Sequence, residues 1–445
     1  MSSDKTAARK VAVAGGGWAG CAAAVELTHR GAQVSLFESA RELGGRARRV
    51  DIDKLDIRGL DNGQHILIGA YSETLRMMRL AGIDIDRALL NLPLQMRYPE
   101  DSGGMDFVAP RLPAPLHMLL ALVRAKGLDK DDKLALARFS TTARWMGWQL
   151  NTDCSVSELL ARFDQTERLT TLMWRPLCIA ALNTPPERAS ANIFLNVLRD
   201  SLGANRRASD MLLPRMDLSA LFPRQAAAFV EQRGGTVATG TTVKRIDRDG
   251  AQWRLELNSG TVDAKFDAVI VATQATHAAT LLDGLIDTSS LTSFDYEPIT
   301  TCYLQYAATV RLPLPFCALV DKPEEQAWGQ FAFDRGALNA DHAGLIAVVV
   351  SASGEAIELG HEALATAIAD QLAGVFKQPE LAQPAWTKVI SEKRATFSCT
   401  PGLMRPPNAT GIEGLVLAGD YTAGDYPATL EAATRSGVAA ARCVS

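Results

Sequence analysis

The chain has 445 residues, which is long enough for two or three domains with sizeable hydrophobic cores. Hydrophobic residues make up 47% and charged residues 22%, as in ordinary folded proteins, and the formal net charge of -4 argues against a nucleic-acid partner. The seven cysteines and six histidines show no C-x-x-C or H-x-x-x-H spacing, so we expect reduced thiols, a cytoplasmic location and no metal site. The short polar N-terminus is unlike a signal peptide, and no apolar run reaches the roughly 18–20 residues that cross a bilayer.

The first predicted elements are a strand, a glycine-rich turn and an alanine-rich helix. The strand from Val11 to Ala14 leads directly into Gly15-x-Gly17-x-x-Gly20. These glycines allow a tight turn, close approach of a pyrophosphate and close packing of the helix on the sheet. The N-terminus of the helix then directs amide donors at the phosphates. The pattern predicts a dinucleotide-binding βαβ unit.

A second apolar strand ends at Glu38, where a carboxylate can accept hydrogen bonds from a ribose diol. The same carboxylate would repel a 2′-phosphate, so we expect FAD or NAD. Gly45-Arg46 follows, and its guanidinium can return over the same pyrophosphate. The chain carries this fingerprint once, so a second, separate nicotinamide domain is not expected.

A polar loop at 60–65 contains Gly63-Gln64-His65 and is expected to face a ligand, and a helix is expected from Ser72 to Leu80. Residues 111–210 read as mostly helical, with two helices on either side of a double proline at 185–186.

Apolar residues recur at helical spacing within 111–125, at Leu112, Leu116, Leu119, Leu120 and Val123. Basic residues follow directly, at Arg124, Lys126, Lys130 and Lys133. Such a face either docks on a membrane surface or packs on the core before a solvated charged turn. The sequence alone favours packing on the core.

From Gly235 onward, apolar and polar residues alternate, which predicts a small antiparallel sheet over 235–267 and then a buried strand from Ala268 to Ala272. Residues 296–395 are expected to combine strands near 301–309 and 345–352 with a helix near 361–376. A final buried strand ends at Gly419-Asp420, and a small-residue helix covers 429–441.

These motifs resemble those of the flavin-containing amine oxidase and phytoene desaturase superfamily, which has a similar opening at 15–46 and a similar closing segment at 419–431. The likeness is closer to one branch, hydroxysqualene dehydroxylase, also called squalene-associated FAD-dependent desaturase. It covers nearly the whole chain, through GGGWAG, LGGRARR, LDNGQH, WRPLCIAALNTP, ASANIFLNVLRDSL, SDMLLPRMDLSALFP, EKRATF and VLAGDYTAGDYPATLEAATRSG.

The resemblance implies an α/β fold with a Rossmann-like FAD-binding domain assembled from residues 1–75, 212–290 and 396–445. A mixed α+β substrate-binding domain would comprise residues 76–211 and 291–395. The ADP half of FAD would be held by Gly15, Gly17, Gly20, Glu38, Gly45, Arg46 and the backbone of Val243. The rest would be held by Gly63, Gln64, Gly419, Asp420, Thr429 and Leu430. We expect non-covalent FAD, because Cys399 is wrongly spaced for a covalent link.

The implied reaction is reductive: hydroxysqualene and reduced FAD give squalene, water and oxidised FAD. A carbinol beside an alkene can lose water to a delocalised cation, which a hydride then quenches if the site excludes water. His65 is the first candidate for a general acid and Asp425 the second, although each also fits a local structural role. A C30 isoprenoid substrate starts in lipid, and this favours peripheral membrane contact by residues 112–135 on the inner face of the membrane.

Other functions share these motifs. A carotenoid-type desaturase would move hydride from substrate to FAD. An amine oxidase generally needs an aromatic cage beside the flavin, and Tyr421 and Tyr426 are weak support for one. A non-catalytic flavin- or lipid-binding protein would keep FAD for structure alone.

Overall fold

The computed structural model describes residues 8–52, 57–100, 102–114, 116–261 and 264–444. Its strands are β1 (Lys10–Ala14), β2 (Gln33–Phe37), β3 (Arg49–Ile52), β4 (Ile57–Asp61), β5 (Leu67–Ile68), β6 (Leu89–Leu92), β7 (Gln95–Arg97), β8 (Asp106–Val108), β9 (Met211–Pro214), β10 (Thr236–Ala238), β11 (Val243–Asp249), β12 (Gln252–Leu257), β13 (Gly260–Thr261), β14 (Ala268–Val271), β15 (Tyr296–Gln305), β16 (Phe316–Ala318), β17 (Phe331–Asp334), β18 (Leu345–Ser351), β19 (Trp386–Phe397) and β20 (Leu415–Leu417).

The α-helices are α1 (Trp18–His29), α2 (Ser72–Leu80), α3 (Ile85–Ala88), α4 (Leu116–Arg124), α5 (Lys130–Trp145), α6 (Val156–Arg162), α7 (Glu167–Leu169), α8 (Arg175–Leu182), α9 (Ala191–Leu198), α10 (Leu218–Leu221), α11 (Pro223–Glu231), α12 (Ala275–Leu282), α13 (Ser289–Thr292), α14 (Arg335–Leu338), α15 (Gly354–Glu358), α16 (His361–Phe376) and α17 (Leu430–Cys443). The described residues also include π-helical turns at Thr170–Trp174 and Arg199–Gly203. No helix among these described residues has both the length and the hydropathy needed to cross a membrane.

One of the two main sheets is parallel and has the strand order β10-β2-β1-β14-β20. Its central strands β1 and β14 are almost wholly buried apolar runs, as expected for parallel strands covered on both faces. Val11 and Val13 pack in one core cluster with α1 and α17. Ala12 and Ala14 point to the opposite face of the sheet and belong to a second core cluster. Helix α17 approaches α1 so closely that a Cβ added at Gly437 would lie 2.1 Å from the carbonyl oxygen of Ala19.

The other main sheet is antiparallel and has the strand order β16-β17-β18-β15-β19. One face packs with α16 around Val348, Val350 and Leu364. On strand β15, the hydroxyl of Tyr303 donates to the carbonyl of Asp61 at 2.9 Å. Strand β15 is therefore joined to the end of β4, directly before the loop at 62–65.

Several sequence expectations are confirmed. The α/β class is correct, α2 and α16 have the predicted bounds, and α8 and α9 lie on either side of the double proline. The predicted final helix begins one residue later than expected, because Thr429 is its N-cap.

Two expectations are wrong. Residues Thr236–Ala238 do not join the small antiparallel sheet but pair in parallel with β2. The apolar residues of α4 do not all face the core: Leu116, Leu119 and Val123 are 54%, 54% and 70% exposed. Helical periodicity shows that an apolar face exists but not what it faces.

The subdivision into two domains stays a prediction. All five parallel strands come from the ranges assigned to FAD binding, and β15 to β18 come from the range 291–395. Strands β9 and β19 each cross a predicted boundary, at 211/212 and at 395/396.

Candidate functional site

A cavity of about 920 Å³ lies where the two main sheets meet. Ala14, Phe37, Ala272 and Gly419, which end or follow parallel strands, all line it. The cavity is therefore at the carboxyl edge of the parallel sheet, where open α/β sheets bind their ligands. We call the part at these strand ends the polar arm. The apolar arm is the part lined by β16, β17 and helices α8 and α9.

The glycine-rich turn forms the floor of the polar arm. Gly15 has φ +111°, and a Cβ there would lie 2.5 Å from the carbonyl oxygen of Ala272. A Cβ at Gly20 would lie 1.9 Å from the carbonyl oxygen of Gly15, so Gly20 supports the turn from behind and does not line the cavity. Gly17 does line it, and an added Cβ would meet nothing nearer than the Cα of Gly45, at 3.9 Å.

Glu38 lines the polar arm with a fixed carboxylate. Its Oε2 accepts from the amide of Gly16 at 2.6 Å, and its Oε1 accepts from the amide of Ala40 at 2.8 Å. The Ser39 hydroxyl also donates to Oε1, at 3.2 Å. A carboxylate has about four lone-pair positions, so about one remains for a ligand hydroxyl. Val243, the predicted adenine contact, lines the same cavity.

Arg46 and Asp420 form an ion pair in the wall of the polar arm. Arg46 Nη2 lies 2.6 Å from Asp420 Oδ1, and Arg46 Nη1 donates to the carbonyl of Ala395 at 2.7 Å. Burial opposes the charge on Arg46, but the charge and hydrogen bond of Asp420, together with Tyr296 and Glu392, outweigh burial and raise the pKa of the guanidinium. The sequence predicted both residues as cofactor ligands but did not predict that they pair.

The N-terminus of α17 forms the next part of the wall, where Thr429 and Leu430 line the cavity. The Thr429 hydroxyl caps the helix by accepting from the amide of Ala432 at 3.2 Å. Glu431 is fully buried and accepts from the amide of Thr74, at the start of α2, at 2.9 Å. The positive end of a 14-residue helix is thus held against the cavity.

The apolar arm is lined by aromatic and aliphatic side chains. Phe316 stacks on Phe331 with ring centroids 5.5 Å apart and contacts Phe333 at 5.1 Å. Further apolar lining comes from Met96, Phe107, Met173, Leu177 and Leu202. Such a lining binds hydrocarbon and offers little to water.

The loop after β4 connects the two arms. Gln64 lines the cavity, and its backbone amide nitrogen donates to Thr301 Oγ1 at 3.4 Å. Behind it lies Arg335, only 1% exposed, which donates from Nη1 to Gln64 Oε1 at 2.9 Å. Arg335 Nη2 is 3.9 Å from Asp61 Oδ2. Sequence reasoning missed Arg335, for which the only signal is a charge directly after the apolar strand β17.

Burial raises the pKa of Asp61 from its ordinary value of 3.8 to about 7, although Arg335 and the amide of Leu218 both oppose the rise. The folded protein therefore binds a proton at Asp61 more tightly than the unfolded chain does. A raised carboxyl pKa contributes stability that is complete below pH 3.8 and is lost as the pH rises through about 7.

We therefore expect the free energy of unfolding to fall by up to about 4 kcal/mol between pH 4 and pH 8 through this group. The Asp61→Asn variant should lack that component. Urea unfolding of both proteins across pH 4.5–8.5 measures the difference, and parallel pH profiles for the two would contradict the assignment.

His65 lines the cavity, and its Nδ1 is 2.9 Å from the carbonyl oxygen of Gly63. A carbonyl only accepts, so Nδ1 carries the proton in the neutral ring and Nε2 is an acceptor. Burial lowers the pKa of His65, with Arg46 adding to the effect, which favours that neutral form. Both facts favour a hydrogen-bond acceptor over the general acid expected from the sequence.

The second acid candidate, Asp425, is not brought to the site. It is exposed and does not line the cavity, whereas its neighbour Tyr426 does line it and donates to Asp200 Oδ2 at 2.6 Å. None of the seven cysteines lines the cavity, Cys399 included.

The residues that line the polar arm are chemically suited to binding FAD. Gly17 leaves open space beside the backbone, Glu38 holds a preorientated carboxylate, and the amino end of α17 presents partial positive charge. Gly45 and Gly63 line the same continuous space. The predicted FAD residues, apart from Gly20, are therefore brought to one cavity, and their roles toward FAD stay predictions.

Comparison with solved structures shows the same fold. An oxidoreductase from Methanosarcina mazei is 14% identical, with a TM-score of 0.71, and the match covers 97% of this chain and 99% of that one. Cyclohexylamine oxidase from Brevibacterium oxydans is 17% identical, with a TM-score of 0.67 and 98% of each chain covered.

Sequence relatives match over almost their whole length. Hydroxysqualene dehydroxylase from Rhodopseudomonas palustris is 28% identical, with 98% of each chain covered, and that from Sinorhizobium fredii is 28% identical, with 97% of each covered. Zeta-carotene desaturase from Synechocystis is 26% identical, covering 98% of this chain and 97% of the relative. The profile of the family described as flavin containing amine oxidoreductase matches residues 18–445. The chain therefore belongs to the flavin-containing amine oxidoreductase family and is an FAD-dependent oxidoreductase.

Proposed function

We propose that this enzyme removes the hydroxyl of hydroxysqualene reductively to give squalene. The observation that carries the proposal is that the polar arm, which is suited to a dinucleotide, and the apolar arm are parts of one continuous cavity. Three hydroxysqualene dehydroxylases at 27–28% identity support the choice of substrate.

The reaction breaks one C–O bond and forms one C–H bond. Bound reduced FAD supplies the hydride for carbon and the balancing proton, so that the hydroxyl leaves as water. The apolar arm contributes by excluding water, which would otherwise recapture a cation at the carbinol carbon. Phe316, Phe331 and Phe333 also hold the isoprenoid chain in one orientation relative to the loop at 62–65.

The enzyme should hold FAD without a cysteinyl link, because no cysteine lines the cavity. Purified protein is expected to be yellow and to release FAD on denaturation with acid.

The test is anaerobic mixing of photoreduced enzyme with hydroxysqualene. We expect recovery of the absorbance of oxidised flavin together with one equivalent of squalene, identified by mass spectrometry. Reduced flavin that persists, with no squalene formed, would contradict the proposal.

Desaturation is a second candidate, supported by the similarity to zeta-carotene desaturase. It requires the opposite direction of hydride transfer. Oxidised enzyme mixed anaerobically with zeta-carotene should then lose flavin absorbance, which the first proposal does not predict.

We also propose that α4 rests on the lipid surface that supplies the substrate. Leu116, Leu119 and Val123 form an exposed apolar face, and α4 packs on β8, whose Phe107 lines the apolar arm. Exposed basic side chains flank this face, at Arg111, Arg124, Lys126 and Lys130. Asp129 and Asp131 offset part of that charge, so most of the binding free energy should come from apolar contact. The free thiols of the cysteines support a cytoplasmic location on the inner leaflet.

Flotation with liposomes that contain anionic lipid tests this contact. The protein should float with the vesicles, and the Leu119→Ser/Val123→Ser variant should float several-fold less. Met404, which is 81% exposed in the segment before β20, provides the matched control Met404→Ser. Equal loss in the control variant, or no flotation of the unmodified protein, would rule out α4 as the contact.

A further inference from the structure

The side-chain amide of Gln64 has only one chemically reasonable orientation. Arg335 Nη1 lies 2.9 Å from Gln64 Oε1. A guanidinium has donors and no acceptor, so the amide oxygen must face Arg335. The amide nitrogen Nε2 must then point away from Arg335.

Gln64 Nε2 is buried and has no hydrogen-bond partner among the described residues. Several other buried side-chain nitrogen and oxygen atoms in the described ranges also lack a partner, but none of those belongs to a residue that lines the cavity. Leaving a buried donor unpaired is costly. A donor fixed in this way indicates a ligand that brings an acceptor atom to it.

The position of this donor is the junction of the two arms. Gln64 lies on the loop that follows β4, and its backbone amide donates to Thr301 of the antiparallel sheet. Arg335 directly follows β17, whose Phe331 and Phe333 line the apolar arm. An acceptor that reaches Gln64 Nε2 would therefore be attached to a ligand whose body lies among aromatic rings.

We propose that Gln64 Nε2 donates a hydrogen bond to the hydroxyl oxygen of an otherwise apolar alcohol, and that Arg335 is the positioning residue that fixes this donor. The proposal deepens the proposed function and rests on it only for the choice of a C30 alcohol as the probe. The donor gives the cavity a preference for the alcohol over a hydrocarbon of the same shape. After dehydroxylation the hydrocarbon product would leave the donor unpaired, and this favours product release.

Equilibrium binding to the oxidised enzyme tests the proposal without turnover, because no reductant is present. We would titrate hydroxysqualene and squalene in matched detergent and follow the change in flavin absorbance. The unmodified enzyme should bind the alcohol about tenfold to hundredfold more tightly than the hydrocarbon. The Gln64→Met variant, similar in shape but without a donor, should bind the alcohol and the hydrocarbon equally, with squalene affinity changed by less than about threefold.

Gln95 offers a matched control, since it is a second buried glutamine that lines the cavity and lies on β7. The Gln95→Met variant should keep the preference for the alcohol. Loss of the preference in Gln95→Met rather than in Gln64→Met would overturn the assignment.

The role of Arg335 needs a variant that folds. Removing Arg335 alone leaves Asp61 buried without its counter-charge, so the Asp61→Asn/Arg335→Met variant is used. It should bind FAD but lose most of the preference for the alcohol, because the Gln64 amide is then free to rotate. The Arg335→Lys variant keeps a donor for Gln64 Oε1 and should restore part of the preference. Full preference in the double variant would overturn the role of Arg335.

A separate measurement distinguishes the alcohol from the cofactor as the acceptor. The sequence predicts that Gln64 helps to hold FAD, whereas the proposal assigns its side-chain donor to the alcohol. If that assignment is right, the flavin spectrum of Gln64→Met without ligand should match that of the unmodified enzyme. A shifted spectrum together with an unchanged preference for the alcohol would show that the donor serves FAD, and the proposal would be wrong. Equal binding of alcohol and hydrocarbon by the unmodified enzyme would also overturn it, whether or not the enzyme turns over hydroxysqualene.

Discussion

The Gly17→Ala variant should fold normally and fail to bind FAD. Gly17 has φ -71°, which alanine adopts freely, and the new methyl group would have no protein neighbour nearer than 3.9 Å. The same methyl group would occupy the space through which a pyrophosphate approaches the backbone. We expect FAD affinity to fall by about a hundredfold, or ~3 kcal/mol, while the unfolding free energy of the apoprotein changes by less than about 1 kcal/mol. Flavin fluorescence quenching and circular dichroism melting measure the two quantities.

The control is Gly20→Ala, where the added Cβ would lie 1.9 Å from the carbonyl oxygen of Gly15. This variant should lose both stability and FAD binding, because the overlap is with backbone inside the protein itself. If Gly17→Ala instead binds FAD within about threefold of the unmodified protein, the polar arm is not the pyrophosphate site.

Breaking the Arg46–Asp420 pair should have the second large effect. Asp420 is 6% exposed, and the pair distance is 2.6 Å. Asp420→Asn or Arg46→Met leaves one charge without its partner inside the cavity wall, which should cost about 2–4 kcal/mol of unfolding free energy, after discounting for the partial exposure of Arg46. The double variant should be less destabilised than the sum of the single variants by about 1–3 kcal/mol. All three variants should lose FAD affinity, because each removes a cavity-lining charge.

The exposed pair Arg224–Glu42 provides the matched control. Both of its hydrogen bonds are 2.9 Å long, but the side chains of Arg224 and Glu42 are 41% and 32% exposed. Glu42→Gln should therefore lower the free energy of unfolding by less than about 1 kcal/mol and leave FAD binding unchanged. A zero coupling energy between Arg46 and Asp420 would show that the short distance has no energetic consequence.

The features that were predictable from sequence are those that a short segment determines by itself. The turn at Gly15 is recognisable because a strand, glycines and a helix must follow in one order to admit a phosphate. The helices α2 and α16 are recognisable from their periodicity and flanking residues. Glu38 was found because its strand ends beside the turn.

The features that were missed depend on residues far apart in the chain. Arg335 and Gln64 are separated by 271 positions, and neither carries a motif that refers to the other. The strand Thr236–Ala238 alternates as an antiparallel strand would, yet its hydrogen-bond partner is β2. Period alone cannot choose a partner strand, and it cannot tell a face that meets lipid from one that meets the core.

The close contact between α1 and α17 at Gly437 has a consequence for biosynthesis. The glycine turn emerges from the ribosome long before Asp420 and the capped end of α17. A nascent chain without these residues lacks one wall of the flavin site, so the coenzyme should be captured only after α17 has been translated. Until β20 has been translated, β14 is an edge strand with unpaired backbone groups, which exposes the partly made sheet to pairing with other chains.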